Sequence, residues 1–376
     1  MRIALLTDAI FPNVIGGIQK HSYYLVKHLA RESYYVDVYH SHINPDTSWV
    51  KYFSVEELNY INFIDFEYPR NTRFPGHYIY SSFKLSKLYY EHLKQSKHDV
   101  IYAQGFTGWY ALIKEPFKKN MITNLHGLNM FQRTINLKNS LEQLLLRIPA
   151  KHIVKHSNKQ VSLGGKLTDI LYQHKAKQNS VIEIPNGIDV SWILNVQQLN
   201  TIAPSKSKLK FIFIGRYDRI KGIEEFHEVI QKTIDILNYE VNFIGPIPEE
   251  KQFKHHKVTY LGTIMESDKI KEILINSDIL VCPSYSEGMP TVILEAMACG
   301  CAIIATDVGA NSTIVNSDNG WLLEGDIVSN LHTAILAAIS CSSEEIILKK
   351  QQSIQKVSEN FTWEKVIYKT LKSLKI

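Results

Sequence analysis

The chain has 376 residues, 45% hydrophobic and 21% charged, proportions that exclude disorder as its main state and favour two domains at roughly 100 to 200 residues each. Its net charge of +5 combines 23 Lys and Arg against 15 Asp and Glu in residues 1 to 200 with 19 against 22 in residues 201 to 376. A basic amino-terminal half suits an anionic partner such as a membrane surface or a phosphorylated substrate; aromatic-rich single-strand platforms and zinc-finger spacings are missing, so nucleic acid is set aside.

The opening Met1 to Asp8 reaches a carboxylate too early for a signal-peptide core, and no apolar run approaches the roughly 18 residues of a spanning helix. Membrane contact is therefore expected to be peripheral. Cys282, Cys299, Cys301 and Cys341 read as small buried residues of a reduced, cytoplasmic protein, and Cys299 with Cys301 lacks the second pair that zinc requires.

Short apolar runs alternating with longer helical patterns predict parallel sheets wrapped by helices. Ile3 to Thr7, Val36 to His40, Val100 to Ala103, Met121 to Leu125, Lys159 to Leu163 and Ser180 to Ile184 read as strands of a first unit. After the polar stretch Asn200 to Lys208, Lys210 to Ile214, Glu240 to Ile244, Val258 to Leu261, Ile279 to Val281 and Ala302 to Ala305 read as strands of a second. The expected architecture is α/β, with two Rossmann-like domains over 1–200 and 206–358, a cleft between them as the ligand site, and a helix over 359–376. Residues 45 to 80, rich in Tyr, Phe, Asn and Pro, are expected to be irregular.

Gly16-Gly17 precedes a helix expected over Ile18 to Ala30; glycines there let backbone amides approach an anion, although a plain tight turn accounts for them equally. His126 follows a strand and, from the residues alone, is more often a structural histidine than a chemical one. In the second unit Gly215-Arg216 leaves a strand and Lys221-Gly222 follows. Two cations at the carboxyl edge of a doubly wound sheet suit a diphosphate, where either alone reads as surface charge. The segment Glu287-Gly288-Met289-Pro290-Thr291 to Glu295 predicts a loop and then a helix with Pro290 as its first residue. Glu287 alone suits a capping group as readily as a ligand group; with Glu295 it brackets a helix start whose free amides suit phosphate, while ionised carboxylates accept sugar or ribose hydroxyls.

These motifs, in this order, resemble the family 4 glycosyltransferases of the GT-B fold, a retaining group built from two facing Rossmann-like domains. The weight rests on the Glu, seven residues, Glu signature at Glu287 and Glu295. Support comes from Gly16-Gly17 with His21, Asn124-Leu125-His126-Gly127, Pro185-Asn186-Gly187-Ile188-Asp189, Gly215-Arg216 with Lys221-Gly222, and the Phe361 to Trp363 tail. The resemblance implies that Glu287 sits beside the donor sugar and Glu295 binds the ribose. It implies that Arg216 and Lys221 hold the diphosphate, that Gly16, Gly17 and Gly215 line its approach, and that Gly288, Met289, Pro290 and Thr291 form the donor-binding loop whose backbone faces the phosphates. His126 would stand near the donor sugar, and the carboxyl-terminal helix would return to the first domain. The family's usual proline, glycine and glutamate are replaced by Ala302, Ala310 and Thr313.

The implied reaction moves a sugar from a nucleoside-diphosphate sugar to an acceptor hydroxyl with retained configuration, for surface glycan synthesis. No Asp-x-Asp signature occurs, so no metal and no cofactor is expected. A glycan or lipid-linked glycan would be the acceptor, at the inner face of the membrane. Arg147, Lys151, Lys155 and Lys159 recur at helical spacing and suit either a solvated face or an anionic-lipid contact. A sugar-nucleotide epimerase of the same fold and a non-catalytic partner subunit remain alternatives; a dehydrogenase fails because neither unit carries Gly-x-Gly-x-x-Gly.

Overall fold

The computed structural model describes residues 1–14, 16–42, 48–69, 76–115, 120–132, 137–195 and 208–374. The chain divides into two compact units, Met1–Asn186 with Trp363–Ile376, and Gly187–Thr362. The first division therefore falls at Asn186 rather than near residue 200, and residues 187 to 195 go with the second unit. Most of the expected linker, residues 200 to 207, lies outside the described residues.

The first unit holds a parallel seven-stranded sheet of β1 (Arg2–Leu6), β2 (Tyr35–His42), β3 (Ile61–Glu67), β4 (Val100–Gln104), β5 (Met121–Asn124), β6 (Lys159–Ser162) and β7 (Val181–Glu183), in the order β3-β2-β1-β4-β5-β6-β7. Its helices are α1 (Gly17–Arg31), α2 (Val55–Leu58), α3 (His77–Leu93), α4 (Trp109–Lys114), α5 (Leu137–His156) and α6 (Lys166–Gln173). Wholly buried runs such as Ile3 to Leu6 and Val100 to Gln104 form the sheet centre, as parallel strands covered on both faces require. Much of the segment expected to be irregular is ordered. A capping box at Ser54 and Glu57 starts α2, and β3 pairs along β2 from Val36 with Ile61 to His42 with Glu67. Residues 45 to 47 and 70 to 75 of that segment lie outside the described residues.

The second unit holds a parallel six-stranded sheet of β8 (Leu209–Ile214), β9 (Tyr239–Ile244), β10 (Val258–Tyr260), β11 (Ile279–Cys282), β12 (Ala302–Thr306) and β13 (Gly320–Leu323), in the order β10-β9-β8-β11-β12-β13. Between and after them run α7 (Ile223–Thr233), α8 (Ser267–Ile275), α9 (Thr291–Ala298), α10 (Asn311–Ile314), α11 (Ile327–Ser340) and α12 (Ser343–Asn360). The core packs Phe211, Phe213, Phe226, Phe243, Ile279, Ile304, Leu331 and Ile335. Cys282, Cys299 and Cys301 are buried thiols, whereas Cys341, expected to be buried, is partly exposed.

The chain then returns to the first unit as α13 (Trp363–Leu374). Trp363, Val366 and Ile367 join the first unit's core, and the Trp363 ring stacks on Tyr24 at 5.2 Å.

Below β11 of the second unit lies one buried ion pair. Lys350 of α12 donates to Asp278 Oδ1 and to the Ser277 carbonyl, both at 3.0 Å, while Asp278 Oδ2 accepts from the Lys210 amide at 3.0 Å. Removing one member of such a pair leaves a buried charge without its partner, at about 3 to 5 kcal/mol. Lys350→Ala is expected to lower the unfolding free energy of the second unit by about that amount; a urea melt matching the wild type would contradict this role.

Candidate active site

In each unit the strand order reverses next to a central strand, β1 beside β4 and β8 beside β11. At such a switch point neighbouring loops diverge beyond the carboxyl ends of the strands and leave a crevice where doubly wound sheets take ligands.

In the second unit the loop leaving β8 carries Gly215, Arg216 and Lys221, and the loop leaving β11 carries Ser284 and Glu287. The backbone holds them together. The Tyr285 amide donates to the Ile220 carbonyl at 2.8 Å. Gly222, at φ +68°, has the Pro283 carbonyl oxygen 2.0 Å from where a Cβ would stand, so only glycine allows this approach. Gly309, at φ +58°, meets the Glu287 carbonyl oxygen at 2.3 Å in the same construction, and the Ala310 amide donates to the Gly288 carbonyl at 2.8 Å.

Lys221 Nζ reaches Glu287 Oε1 at 2.6 Å, and Ser284 Oγ donates to the same oxygen at 2.7 Å. Glu287 is buried and the lysine side chain is partly exposed. Burial opposes the charge on Lys221, but Glu287 beside it outweighs that cost and raises its pKa above the ordinary lysine value. The site therefore keeps an ammonium at its rim. Arg216 is exposed on the same loop and forks to Asp218 Oδ2, with Nε and Nη2 both at 3.1 Å, while Asp218 Oδ1 accepts from the Ile220 amide at 3.1 Å. Arg219 pairs with Glu225 and lies over the Tyr285 ring at 5.4 Å; Tyr285 Oη donates to Glu225 Oε1 at 2.6 Å.

Pro290 is the residue flanking α9 rather than its first residue, with φ −64° and ψ 119°, and Thr291 begins the helix. Its ψ is extended rather than helical, so the helix begins one place later than proline's preference for the first turn suggests. Met289 is buried, Gly288 and Thr291 are partly exposed, and Glu295 lies one turn into α9 with its side chain partly buried.

In the first unit Gly16 precedes α1 in an extended conformation, and Gly17 is its first residue with no atom within 4 Å of where a Cβ would stand. His126 sits at φ +56° beyond β5, its amide bonded to Asn124 Oδ1 at 2.9 Å. The Gln104 side chain, at the end of β4, joins two imidazoles. Its Oε1 contacts His126 Nε2, and its Nε2 lies 3.1 Å from His21 Nδ1. An amide nitrogen only donates and an amide oxygen only accepts, so this arrangement assigns the Nε2–H tautomer to His126 and an accepting Nδ1 to His21. The His21 and His126 rings meet edge to face at 5.1 Å. Gln104 and Ser284 were not singled out in the sequence. A buried amide directly after the apolar run of β4 was the available signal for Gln104; Ser284 stands three residues before Glu287, and nothing in the sequence shows that its hydroxyl turns onto that carboxylate.

Burial pushes the His21 imidazole down to about 4, and burial with the neighbouring His21 holds His126 well below its ordinary value. Both are neutral in the folded protein near pH 6, whereas an unfolded chain protonates its histidines from about 6.5. Between about pH 6.5 and 4 the unfolded state binds more protons, so stability falls as pH falls through that window and is flat above it. His21→Gln is expected to make this slope shallower by about 1.4 kcal/mol per pH unit; denaturant melts from pH 4.5 to 7.5 with unchanged slope would contradict the neutral buried pair.

Comparison with known proteins agrees with this layout. The model for Glycosyltransferase Family 4 matches residues 15–192 and that for Glycosyl transferases group 1 matches residues 208–341. An uncharacterized glycosyltransferase of Methanocaldococcus jannaschii is 25% identical over 96% of this chain and 95% of its own. The putative teichuronic acid biosynthesis glycosyltransferase TuaC of Bacillus subtilis is 35% identical over 33% of this chain and 31% of its own. Among solved structures, sucrose-phosphate synthase from Thermosynechococcus elongatus superposes with a TM-score of 0.80 at 18% identity, covering 99% of this chain and 98% of that one. Anabaena HepE in complex with UDP-glucose gives 0.67 at 16% identity, covering 99% and 100%. The two family models, lying on the two sheets in sequence order, show that the chain belongs to the family 4 glycosyltransferases of the GT-B type.

Proposed function

We propose that this glycosyltransferase moves a sugar from a nucleoside-diphosphate sugar to an acceptor hydroxyl with retention of configuration and without a metal ion. The observation that carries the reading is the Lys221–Glu287 contact at the β8/β11 switch point, beside the start of α9. Lys221, kept charged, and Arg216 on the same loop would neutralise the leaving diphosphate, with the amides of Gly288, Met289 and Thr291 adding fixed dipoles. An ionised carboxylate has about four acceptor positions, so Glu287 would accept donor-sugar hydroxyls while one oxygen holds Lys221 and Ser284. Glu295 would bind the ribose. Gly17 would approach the diphosphate and His126, neutral and donating Nε2–H to Gln104, would stand near the donor sugar. Retention fits attack on the face the leaving group departs from, with its phosphate oxygen taking the acceptor proton; no side chain is assigned as base.

A UDP-glucose complex of a structural neighbour and a relative named for teichuronic acid biosynthesis support a nucleotide-sugar donor and a bacterial surface glycan as product. The acceptor would be a glycan or lipid-linked glycan met in the cytoplasm, at the inner face of the membrane.

Thermal shift in EDTA with UDP, GDP, ADP and their sugar conjugates tests the donor. One nucleotide family should raise the melting temperature by mass action; no shift with any of them from folded protein would contradict the reading. With the donor so identified, Glu287→Gln should abolish sugar transfer and slow donor hydrolysis at nearly unchanged melting temperature, and turnover within a few-fold of wild type would remove Glu287 from the reacting site.

A further inference from the structure

Helix α5 carries two apolar faces. Pro149, Ala150, Ile153 and Val154 are buried in the first unit. Leu141, Leu144, Leu145 and Ile148 instead face solvent, 63%, 54%, 38% and 68% exposed. Their spacing of three, four and seven residues places all four on one stripe of the helix, about 10 Å long at 1.5 Å per residue. Four large apolar side chains in one exposed row differ from the scattered surface hydrophobics of ordinary proteins and mark a docking surface.

The same stripe continues into charge. One and two turns beyond Ile148 stand Lys151 and Lys155, both exposed, while Arg147 on the flank donates from Nε to the Met130 carbonyl at 2.7 Å. Burial and the neighbouring Lys151 and Arg147 depress the pKa of His174, which places that imidazole in the same positive field. Lys159, expected on this helical face, lies on β6 instead and is committed to the Ser373 carbonyl at 2.8 Å, because the helix ends at His156. Glu142 is the one carboxylate within α5, and it lies to the side of the stripe opposite Arg147 and Lys151.

We infer that this face of α5 is a membrane-docking surface for an anionic bilayer, with Leu141, Leu144, Leu145 and Ile148 entering the boundary between headgroups and acyl chains and Lys151 and Lys155 meeting lipid phosphates. Apolar side chains in line with cations on one surface helix are what an anionic interface recognises. A second copy of the chain is the poorer partner, because it brings another amino-terminal half with an excess of eight positive charges. The inference deepens the peripheral-membrane part of the proposed function and rests on it, but it does not depend on the transfer chemistry.

The test is co-sedimentation of the full chain with phosphatidylglycerol/phosphatidylethanolamine vesicles and with pure phosphatidylcholine vesicles, at low and high salt, beside sedimentation velocity without lipid. Wild type should pellet with the anionic vesicles, less so at high salt, and remain largely in solution with phosphatidylcholine. Leu144→Glu/Ile148→Glu should lose most of the bound fraction while keeping its melting temperature and any nucleotide-induced shift, since both side chains face water. Lys151→Ala/Lys155→Ala should lose the preference for anionic lipid. Equal pelleting of wild type and Leu144→Glu/Ile148→Glu, or a wild-type dimer that the same pair dissociates, would overturn the inference. Vesicle binding by protein that takes no nucleotide would uphold this surface and count against the transferase reading.

Discussion

Lys221 meets Glu287 across two loops that belong to different strands, and the contact stands only because the backbones beneath it touch. Gly222 against the Pro283 carbonyl and Gly309 against the Glu287 carbonyl leave no room for a side chain at either point. With the loops locked in this way, the ammonium and the carboxylate reach 2.6 Å, and Ser284 donates to the same carboxylate oxygen. Glu287 keeps the lysine charged and oriented, so a phosphate arriving there would require little reorganisation of the protein. Preorganised charge of this kind is worth more than the same charge on a mobile side chain. Arg216 differs: it is exposed and held by Asp218 on its own loop, so a ligand would have to compete for it.

The first unit solves a related problem with neutral groups. Two histidines buried side by side would repel each other if both were protonated. Gln104 resolves this by offering a donor to one ring and an acceptor to the other, which holds each in a single tautomer. The His21 ring also meets Trp363, at 5.3 Å. The last helix of the chain therefore belongs to the packing around these histidines, and its docking is part of how the first unit orders them.

Much of this was legible in the sequence, for reasons that can be named. Central parallel strands are covered on both faces and so read as unbroken apolar runs, which is why β1, β4, β8 and β12 were found nearly to the residue. β3 and β13 were missed because Ile61–Glu67 interleaves Asn62 and Asp65 with apolar residues at a sheet edge and Gly320–Leu323, at the other sheet's edge, opens on a glycine after the polar run Asn316 to Asn319. The Glu287 to Glu295 segment announced itself by two carboxylates around an apolar helix. Which atoms those carboxylates meet was not legible, since the turn of the Ser284 hydroxyl onto Glu287 and the close approach of the Pro283 and Glu287 carbonyls to Gly222 and Gly309 arise only in the fold. The face of α5 shows the same limit: the lysine spacing was visible, but Lys159 proved to be on a strand, and only the fold shows which leucines remain outside.

The central claim is that Lys221 and Glu287 form one unit built to receive a donor, and a double-mutant cycle measures that directly. Binding of the nucleoside-diphosphate sugar that stabilises the protein would be titrated calorimetrically for wild type, Lys221→Met, Glu287→Gln and the pair. If they act as one unit, the double variant loses less than the sum of the single losses, with a coupling of about 0.5 to 3 kcal/mol. Losses that add would mean that the two side chains meet the donor independently and that their contact is incidental to it.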